Sequence, residues 1–331
     1  MDITGKRVLI TGGSGFLGRA LAKDLLQKNC DITIFSRSER PQVEMKKDYP
    51  NCRYVLGDIK DEKAVYRAMN GQDVVIHAAA MKHVPIAEDQ PIECMKTNIM
   101  GSINVLEAAK KIDTVQHLVS ISTDKAPQPT SVYGFSKLML EKMTQEIAEE
   151  YKDMTFSLVR YGNVLFSSGS VIEIWIKLAK QNKKLKITVP EMTRFFFLVE
   201  DAVYAVNESI EISSKYKEKG YHCVNYVPTV RSCVLRDLLE VIMEKFDYNY
   251  DQVEIIGNRG NENLHEVLLT PEEHQNAEYL PNAYKGKGVY LLGAGNSGLD
   301  KIVYSSEDCE HFSKKEISDI LEESGVYENI K

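Results

Sequence analysis

The stretch KRVLITGGSGFLG, residues 6–18, decides which fold the chain can adopt. Residues 6–11 form a short apolar run typical of a buried strand, and an amphipathic helical pattern follows the glycines. Gly12, Gly15 and Gly18 stand where a backbone must turn tightly, admit a phosphate and pack a helix against a strand. This order predicts a dinucleotide site at a helix N-terminus. The predicted contacts are Gly12, Gly13, Ser14, Gly15, Phe16, Leu17 and Gly18. The alternative is a glycine-rich turn that binds no ligand.

The end of the second predicted strand, Asp31–Ser36, indicates which cofactor this site would take. A site for NAD usually has an acidic residue about 20 residues after the glycines, where it holds the ribose hydroxyls. Here Ser36, Arg37 and Arg40 occupy that region, and they suit the 2′-phosphate of NADP. We therefore predict NADP. The alternative is that Arg37 is an exposed loop residue without a ligand.

The third predicted strand, Arg53–Leu56, adds two residues on the adenine side of the site. Asp58 and Ile59 follow this strand, and both are predicted to contact the cofactor. Asp58 could accept a hydrogen bond from the adenine amino group, or it could cap the helix that begins near Glu62. Both interpretations of Asp58 stay open at this point.

A fourth predicted strand at residues 73–77 leads into Ala78 and Ala79, whose small side chains let a flat cofactor lie across the strand ends. Lys82 is either a ligand contact or a solvated lysine. A helix is predicted over residues 91–110, so strands and helices alternate along this half of the chain. The pattern predicts an α/β fold, a Rossmann-like doubly wound parallel sheet with ligands at the carboxyl ends of its strands.

The stretch VSISTDKAPQPTSVYGFSK, residues 119–137, carries the groups that could perform chemistry. Its reactive side chains are a hydroxyl, an acid, an amine, a phenol and a second amine: Thr123, Asp124, Lys125, Tyr133 and Lys137. Tyr133 and Lys137 lie one helical turn apart on the same face. An ammonium at that position can lower the pKa of the phenol and make it a base. A Tyr-x-x-x-Lys pair is common on helices, but its position after a parallel strand and a glycine fingerprint makes it specific.

The second half of the chain is predicted to form a smaller C-terminal substrate-binding lobe. We place the cofactor domain at residues 1–165 and the substrate lobe mainly at 166–331, with segments near 190–230 returning to the first domain. Ser167, Ser168 and Ser170 are candidate helix caps or phosphate contacts. The final part of the chain, with Gly286, Gly288, Gly293, Gly295 and Gly298, is expected to be rich in loops.

Composition excludes several classes of protein. A chain of 331 residues with a net charge of −7 is too acidic for a typical nucleic-acid surface. No apolar run approaches the ~20 residues that a membrane helix needs, and the N-terminus lacks the layout of a signal peptide. The six cysteines are scattered without metal-ligand spacing, so we expect reduced thiols, no metal site and a cytoplasmic location.

Several motifs, in conserved order, resemble one family. The chain resembles the extended short-chain dehydrogenase/reductases, and within them the inverting UDP-N-acetylglucosamine 4,6-dehydratases of surface-polysaccharide pathways. The matching segments span most of the chain: HAAAMKHVP (77–85), KTNIMGSINV (96–105), STDKA (122–126), YGFSK (133–137), RYGNV (160–164), GSVI (169–172), MTRF (192–195) and RGNENLHE (259–266). One departure is Phe16-Leu17 in the glycine turn, which is commoner in sugar epimerases.

The resemblance implies a reaction and the residues that perform it. Asp124, Lys125 and Tyr133 would be catalytic, assisted by Lys137 and Thr123. The reaction would be NADP-dependent dehydration of a UDP-sugar with inversion at C5. Val164 would contact the cofactor. The substrate would contact Lys82, Asn163, Ser170, Val171, Thr193, Arg194, Arg259 and Glu262. The family also implies a homo-oligomer, at least a dimer, built on helices at 91–110 and 133–151.

Two other functions remain compatible with these residues. A UDP-sugar 4-epimerase needs the tyrosine and the cofactor but not the Asp124-Lys125 pair. A nucleotide-sensing module on a degenerate dehydrogenase fold would have no reason to keep Tyr133, Lys137 and the Asp-Lys pair together.

Overall fold

The computed structural model describes residues 1–167, 169–295 and 298–330. Sixteen strands lie within these residues. They are β1 (Arg7–Thr11), β2 (Asp31–Ser36), β3 (Arg53–Leu56), β4 (Val74–His77), β5 (His117–Ile121), β6 (Thr155–Val159), β7 (Asn163–Val164), β8 (Leu185–Ile187), β9 (Thr193–Phe197), β10 (Cys223–Pro228), β11 (Ser232–Val234), β12 (Val253–Ile255), β13 (Val267–Leu269), β14 (Glu278–Tyr284), β15 (Lys287–Leu292) and β16 (Tyr304–Ser305).

Thirteen α-helices accompany these strands in the described part of the chain. They are α1 (Phe16–Gln27), α2 (Glu39–Asp48), α3 (Glu62–Met69), α4 (Val84–Asp89), α5 (Pro91–Met95), α6 (Gly101–Lys110), α7 (Val132–Glu150), α8 (Val171–Lys180), α9 (Val199–Lys217), α10 (Leu235–Lys245), α11 (Pro271–Gln275), α12 (Lys314–Glu323) and α13 (Val326–Asn329). A π-helical turn, Lys96–Met100, joins α5 to α6, and a 3₁₀ turn, Tyr250–Gln252, precedes β12.

Nine of the strands form one sheet in the order β14-β15-β10-β6-β5-β4-β1-β2-β3. The seven strands from β10 to β3 pair in parallel, so their carboxyl ends share one edge of the sheet. The direction of winding reverses between β1 and β4, which is where a doubly wound sheet opens a crevice for ligands. The predicted Rossmann-like α/β fold is confirmed.

Two apolar cores cover the faces of this sheet. On one face, α1 and α9 pack through residues such as Leu21, Leu25 and Val206. On the other, α3, α6 and α7 pack around Phe156 and Leu118. Both faces of every central strand are therefore buried, which explains why these strands read as continuous apolar runs.

A separate core holds the C-terminal lobe together. It includes α8, α10 and α12, which pack around Trp175. The Nε1–H of Trp175 donates to the carbonyl of Lys186 at 2.8 Å. The chain also returns to the main sheet through β10, inside the 190–230 region. The boundaries at 165 and 166 stay a prediction.

The expectation of loops in the glycine-rich final part of the chain is wrong around Gly286 and Gly288. β14 and β15 form an antiparallel hairpin, and β15 pairs with β10 at the edge of the main sheet. Glycines favour a prediction of loops, but here Gly286 forms the turn of the hairpin and Gly288 lies in β15. Gly286 turns with φ of +79°, and Tyr279 covers the space above Gly288. In the described chain, no helix is long and apolar enough to cross a membrane.

Candidate active site

The glycine turn after β1 is shaped to receive a phosphate. Gly12 has φ of +69°, and a Cβ there would lie 2.9 Å from the Cα of Ala79. A Cβ on Gly18 would lie 2.4 Å from the carbonyl oxygen of Gly13. Helix α1 can therefore pack this closely on the glycine turn only because position 18 has no side chain. Helix α1 has Gly15 at its N-cap, no capping side chain and no acidic residue in its first turn. Its N-terminal N–H groups and positive dipole end remain available to an anion.

A cleft of about 870 Å³ opens at this edge of the sheet and continues into the C-terminal lobe. Its volume lies within the range typical of ligand sites. Most of the predicted cofactor residues line it: Gly12, Gly15, Phe16, Leu17, Gly18, Arg37, Ala78, Ala79, Lys82, Tyr133, Lys137 and Val164. The glycine turn, the sheet edge and the catalytic stretch therefore face a common space.

Four predicted cofactor residues, Gly13, Ser14, Ser36 and Arg40, lie outside the cleft lining. Gly13 is buried beneath α1. The Ser14 hydroxyl donates to the Ser36 hydroxyl at 2.9 Å, which ties the glycine turn to the end of β2. Arg40 is exposed and pairs with Glu44 one helical turn later, at 2.9 Å.

Asp58 and Ile59 also lie outside the cleft lining. Asp58 Oδ1 accepts the backbone N–H of Lys60 at 2.9 Å. The N-cap of α3 is Asp61, so the interpretation of Asp58 as that cap is wrong. The N-cap directly precedes the first helical residue, which is Glu62. The sequence placed the helix start only approximately, so it could not decide between Asp58 and Asp61. The Ile59 side chain is buried against the face of α6.

The phenol and the second amine of the catalytic stretch are placed by α7. This helix begins one residue before Tyr133, and the Ser131 hydroxyl caps it by accepting the N–H of Gly134 at 3.1 Å. Tyr133 and Lys137 both line the cleft, on one face of the helix. The Lys137 ammonium donates to the carbonyl of Ile121, at the end of β5, at 2.7 Å. Burial lowers the pKa of Lys137 to about 8.

The environment of Tyr133 differs from the sequence prediction. Burial raises the pKa of its phenol to about 12, while the Lys125 ammonium and a hydrogen bond with Thr123 act in the opposite direction. Lys137, which the sequence analysis expected to lower this pKa, is not among the groups that do so; its ammonium donates to the carbonyl of Ile121. The cation that acts on the phenol is Lys125.

Four charged side chains meet beside Tyr133, and we call them the Lys125 cluster: Asp124, Lys125, Arg194 and Glu266. Lys125 Nζ lies 3.0 Å from Asp124 Oδ1 and 2.9 Å from Glu266 Oε1. Arg194 Nε lies 3.7 Å from the same Glu266 oxygen. Both carboxylate side chains are at most 2% exposed. Two buried anions thus face two cations.

The protonation of this cluster follows from burial and pairing. Burial opposes the charge on Lys125, but Asp124 and Glu266 outweigh it and raise its pKa. Burial raises the pKa of Asp124, although Lys125 opposes that shift. Burial also acts to raise the pKa of Glu266, but Lys125 and Arg194 outweigh it and lower the value. Lys125 is therefore an ammonium in this structure.

One oxygen of the cluster has no internal partner. Asp124 Oδ1 accepts from the Thr123 hydroxyl at 3.0 Å and from Lys125. Asp124 Oδ2 is buried and has no hydrogen-bond partner among the described residues. A buried carboxylate oxygen without a partner is costly, so this oxygen is a candidate position for a ligand group.

The predicted substrate residues divide into two groups. Those that line the cleft are Lys82, Asn163, Ser170, Val171, Arg194 and Glu262. The Lys82 side chain is exposed at its surface, yet desolvation by the surrounding cleft lowers its pKa. The hydroxyl of Ser170 caps α8, as predicted. Ser168, predicted with it, lies outside the described residues.

Thr193 and Arg259 do not line the cleft. Thr193 is buried, and its hydroxyl bonds His265 Nδ1 at 2.8 Å and the Ser306 hydroxyl at 2.7 Å. It supports the loop that carries Glu266. Arg259 is exposed and lies 3.5 Å from Glu262, so of the two predicted substrate arginines Arg194 reaches the cleft and Arg259 does not.

Two structural contributions escaped the sequence analysis. Glu266 lies in the RGNENLHE segment, but only the fold brings it to Lys125. Asn98 lies in the π-helical turn, and its amide bonds the backbone N–H and carbonyl of Met81 at 2.7 and 2.9 Å and the Ser136 hydroxyl at 2.9 Å. A π-turn has no distinct sequence signature here, so the region read as one continuous helix.

A buried ion-pair network stands behind the catalytic stretch. Arg160, directly after β6, pairs with Glu141 on α7 at 2.6 Å and with Glu273 on α11 at 2.7 Å. The Ser122 hydroxyl, next to Thr123, donates to Glu141. This network joins the second half of the chain to the strand that carries the reactive groups. Among the described residues, no group of three or more His, Cys, Asp or Glu side chains is placed to hold a metal ion.

Comparison with known proteins agrees with this arrangement. A model of the family described as "Polysaccharide biosynthesis protein" matches residues 8–287. The chain belongs to this family. It is 38% identical over 338 residues to an inverting UDP-N-acetylglucosamine 4,6-dehydratase of Campylobacter jejuni, covering 96% of this chain and 97% of that protein. It is 36% identical over 333 residues to a UDP-glucose 4-epimerase of Rickettsia bellii, covering 96% and 95%. The resemblance inferred from the motifs is confirmed.

Solved structures give the same picture. The crystal structure of Pen from Bacillus thuringiensis superposes with a TM-score of 0.87 at 31% identity, covering 98% of this chain and 100% of that one. DesIV, a dTDP-glucose 4,6-dehydratase from Streptomyces venezuelae determined with NAD bound, has a TM-score of 0.68 at 19% identity, covering 78% and 86%. At that identity the second match concerns the fold alone.

Proposed function

We propose that this protein catalyses the NADP-dependent 4,6-dehydration of a UDP-N-acetylhexosamine, UDP-N-acetylglucosamine by preference, with inversion at C5. The observation that carries the proposal is the Asp124-Lys125 pair on the same cleft wall as Tyr133. A reaction that only oxidises and reduces C4 has no use for a second acid and base beside the phenol. The Campylobacter relative named as such a dehydratase supports the same assignment.

The residues of the cleft suit a nicotinamide dinucleotide. The positive φ of Gly12, the close approach at Gly18 and the uncapped start of α1 form a cradle that a side chain would fill. Arg37 lines the cleft beside this cradle and forms no ion pair in the described part of the chain, which leaves its guanidinium available to a 2′-phosphate. When bound, the nicotinamide would take hydride from C4 of the sugar and return it to C6.

The chain's own residues would move the protons. Tyr133 would accept the proton of the C4 hydroxyl, since it lines the cleft from the first turn of α7 with Thr123 beside it. The resulting ketone acidifies the C5 proton. Lys125 would remove that proton as an amine, and Asp124 would protonate the departing C6 hydroxyl. Solvent-derived hydrogen would then reach C5 on the opposite face.

This mechanism needs a proton distribution different from the ion pair in the structure. Lys125 must be an amine and Asp124 an acid, and the two states differ by one proton moved across the 3.0 Å between Nζ and Oδ1. Burial of Asp124 favours that transfer, because it raises the pKa of the carboxyl. The transfer leaves the total charge of the Lys125 cluster unchanged.

The test is proton NMR of a fresh reaction with UDP-N-acetylglucosamine in deuterated water. We expect loss of water and a 4-keto-6-deoxy product of inverted C5 configuration, with deuterium at C5 and the former C4 hydrogen at C6. A product with the original C5 configuration contradicts inversion. The Rickettsia relative favours a second candidate, a UDP-sugar 4-epimerase, and a product that keeps its 6-hydroxyl would identify it.

We also propose that the protein assembles as at least a dimer through the helices at 91–110 and 133–151. These helices expose large apolar side chains: Ile92 62%, Met95 49%, Met100 51%, Phe135 54% and Met139 44%. A second copy would cover this surface. We expect Phe135→Glu to yield a monomer in sedimentation velocity, and a monomeric unmodified protein would contradict the proposal.

A further inference from the structure

We propose that Glu266 is a positioning residue. It fixes the Lys125 amine so that the amine can remove the C5 proton, and it stabilises the ammonium that then forms on Lys125. This inference rests on the proposed dehydration. Its first support is geometric, since Lys125 Nζ lies between Asp124 Oδ1 at 3.0 Å and Glu266 Oε1 at 2.9 Å. Two acceptors on different elements define the position of Nζ, whereas the flexible lysine side chain alone would not.

Glu266 is itself rigidly held. Its side chain is 2% exposed, and its backbone N–H donates to the Ser306 hydroxyl at 2.9 Å. That hydroxyl also bonds the Thr193 side chain at 2.7 Å. The Asn263 amide donates to Glu266 Oε2 at 3.4 Å. Burying a carboxylate costs free energy unless a cation compensates its charge. For Glu266 that cation is Lys125.

The charge balance of the elimination explains why a second carboxylate is useful. In that step the C5–H bond breaks and an N–H bond forms on Lys125, while the C6–O bond breaks and Asp124 gives its proton to the leaving oxygen. The products in the site are an ammonium and a carboxylate beside Glu266, the same charge state as in this structure. Compared with the amine–acid state, Glu266 therefore stabilises the cluster more once elimination is complete, and to the same extent as in the resting ion pair.

The same carboxylate has an opposing effect before elimination. Its charge favours the ammonium over the amine, so it restrains transfer of the Lys125 proton to Asp124. Arg194, 3.7 Å from Glu266, partly offsets that charge. Replacing Glu266 by an isosteric neutral group should make the amine form more accessible but a weaker base.

The direct test uses Glu266→Gln and follows two steps separately. We expect transient reduction of the bound nicotinamide, which reports C4 oxidation, to change less than about threefold. Water elimination should slow by about 10- to 100-fold, because Nζ loses one of the two charged acceptors that fix its position; this is the scale of one hydrogen bond to a charged group. Its acidic limb in the pH–rate profile should move to lower pH. Glu266→Asp should recover part of the rate.

A structural role would give a different pattern. Equal slowing of both steps with an unmoved pH profile would overturn the inference. The matched control is Glu307→Gln, an exposed carboxylate that lies 3.6 Å from His265, next to Glu266 in the chain. We expect Glu307→Gln to leave both steps and the pH profile unchanged.

A measurement without substrate separates this inference from the proposed function. In protein labelled with ¹⁵N-lysine, the Lys125 signal is assigned by its loss in Lys125→Arg. In the unmodified protein we expect Lys125 to give an ammonium signal up to the highest pH at which the protein stays folded. In Glu266→Gln we expect Lys125 to lose its proton at a lower pH. An unchanged titration would overturn the role of Glu266. If the unmodified protein failed to dehydrate UDP-N-acetylglucosamine while the titration still shifted in Glu266→Gln, the proposed reaction would be overturned but the effect of Glu266 on Lys125 would stand.

Discussion

Replacing Lys125 with methionine is the perturbation that tests the candidate site most severely. The substitution keeps an unbranched, flexible side chain, one heavy atom shorter, but removes the cation between two buried carboxylates. Asp124 and Glu266 are 1% and 2% exposed, and the Lys125 side chain itself is only 21% exposed. Arg194 then remains as the one cation of the Lys125 cluster. Removing one partner of a buried ion pair typically costs about 3–5 kcal/mol.

The loss of stability should depend on pH in a defined direction. Without the ammonium, the two carboxylates repel each other and one of them takes up a proton, so its pKa in the folded state lies above the ordinary value of about 4. The folded protein then binds more protons than the unfolded chain between these two values, and its stability falls as pH rises through that window. Urea unfolding should show a smaller deficit at about pH 5 than at about pH 7.5.

Chemistry should fail in the same variant at one step. Loss of a general base typically slows a reaction by about 10²–10⁴-fold. We expect Lys125→Met to lose elimination and deuterium incorporation at C5 by that factor, while cofactor binding persists because the glycine turn is untouched. Lys215→Met, an exposed lysine paired with Glu211 on α9, is the control and should change stability by less than about 1 kcal/mol. Stability and elimination both close to those of the unmodified protein would refute the account of the Lys125 cluster.

Three further substitutions test other parts of the site. Tyr133→Phe should bind cofactor yet lose turnover by at least about 100-fold, because the C4 proton has no acceptor; near-normal turnover would mean that another group takes this proton. Arg37→Ala should remove most of an NADPH preference of about 1.5–3 kcal/mol, measured by calorimetry, whereas Arg40→Ala should not; equal affinities of the unmodified protein for NADPH and NADH would contradict the assignment. Arg160→Met should lower the free energy of unfolding by about 3–5 kcal/mol, because it leaves the Glu141 carboxylate buried without its cation; a loss below about 1 kcal/mol would be inconsistent with that network.

Two exposed residues provide matched controls for these variants. Tyr250→Phe removes a phenol on the surface of the C-terminal lobe, where it bonds Glu240, and should leave turnover unchanged. Arg236→Met removes an exposed arginine that pairs with Glu191, and its effect on unfolding should stay below about 1 kcal/mol.

What the sequence predicted well is local. The strand, glycine turn and helix at residues 6–27 follow from a contiguous pattern, and Tyr133 and Lys137 share a face because helical periodicity requires it. The parallel pairing of the central strands follows from their alternation with helices. The fold could therefore be predicted from short-range information.

What the sequence could not supply depends on long-range packing. Glu266 meets Lys125 only because the loop before β13 folds back over the end of β5. Arg194 reaches the cleft while Arg259 does not, although both are arginines in motifs of the same family. The pKa of Tyr133 also depends on which ammonium is directed toward the phenol, and helical spacing does not determine that.

The hairpin of β14 and β15 has a consequence for the synthesis of this protein. Because β10 and β15 complete the edge of the main sheet beyond β6, a nascent chain that ends near residue 165 presents β6 with an unpaired edge. The Arg160 side chain would at that stage lack Glu273, one of its two carboxylate partners. The main sheet can therefore be completed only after β15 has left the ribosome. We expect the two halves to acquire protease resistance together, after translation has passed β15, and not in sequence.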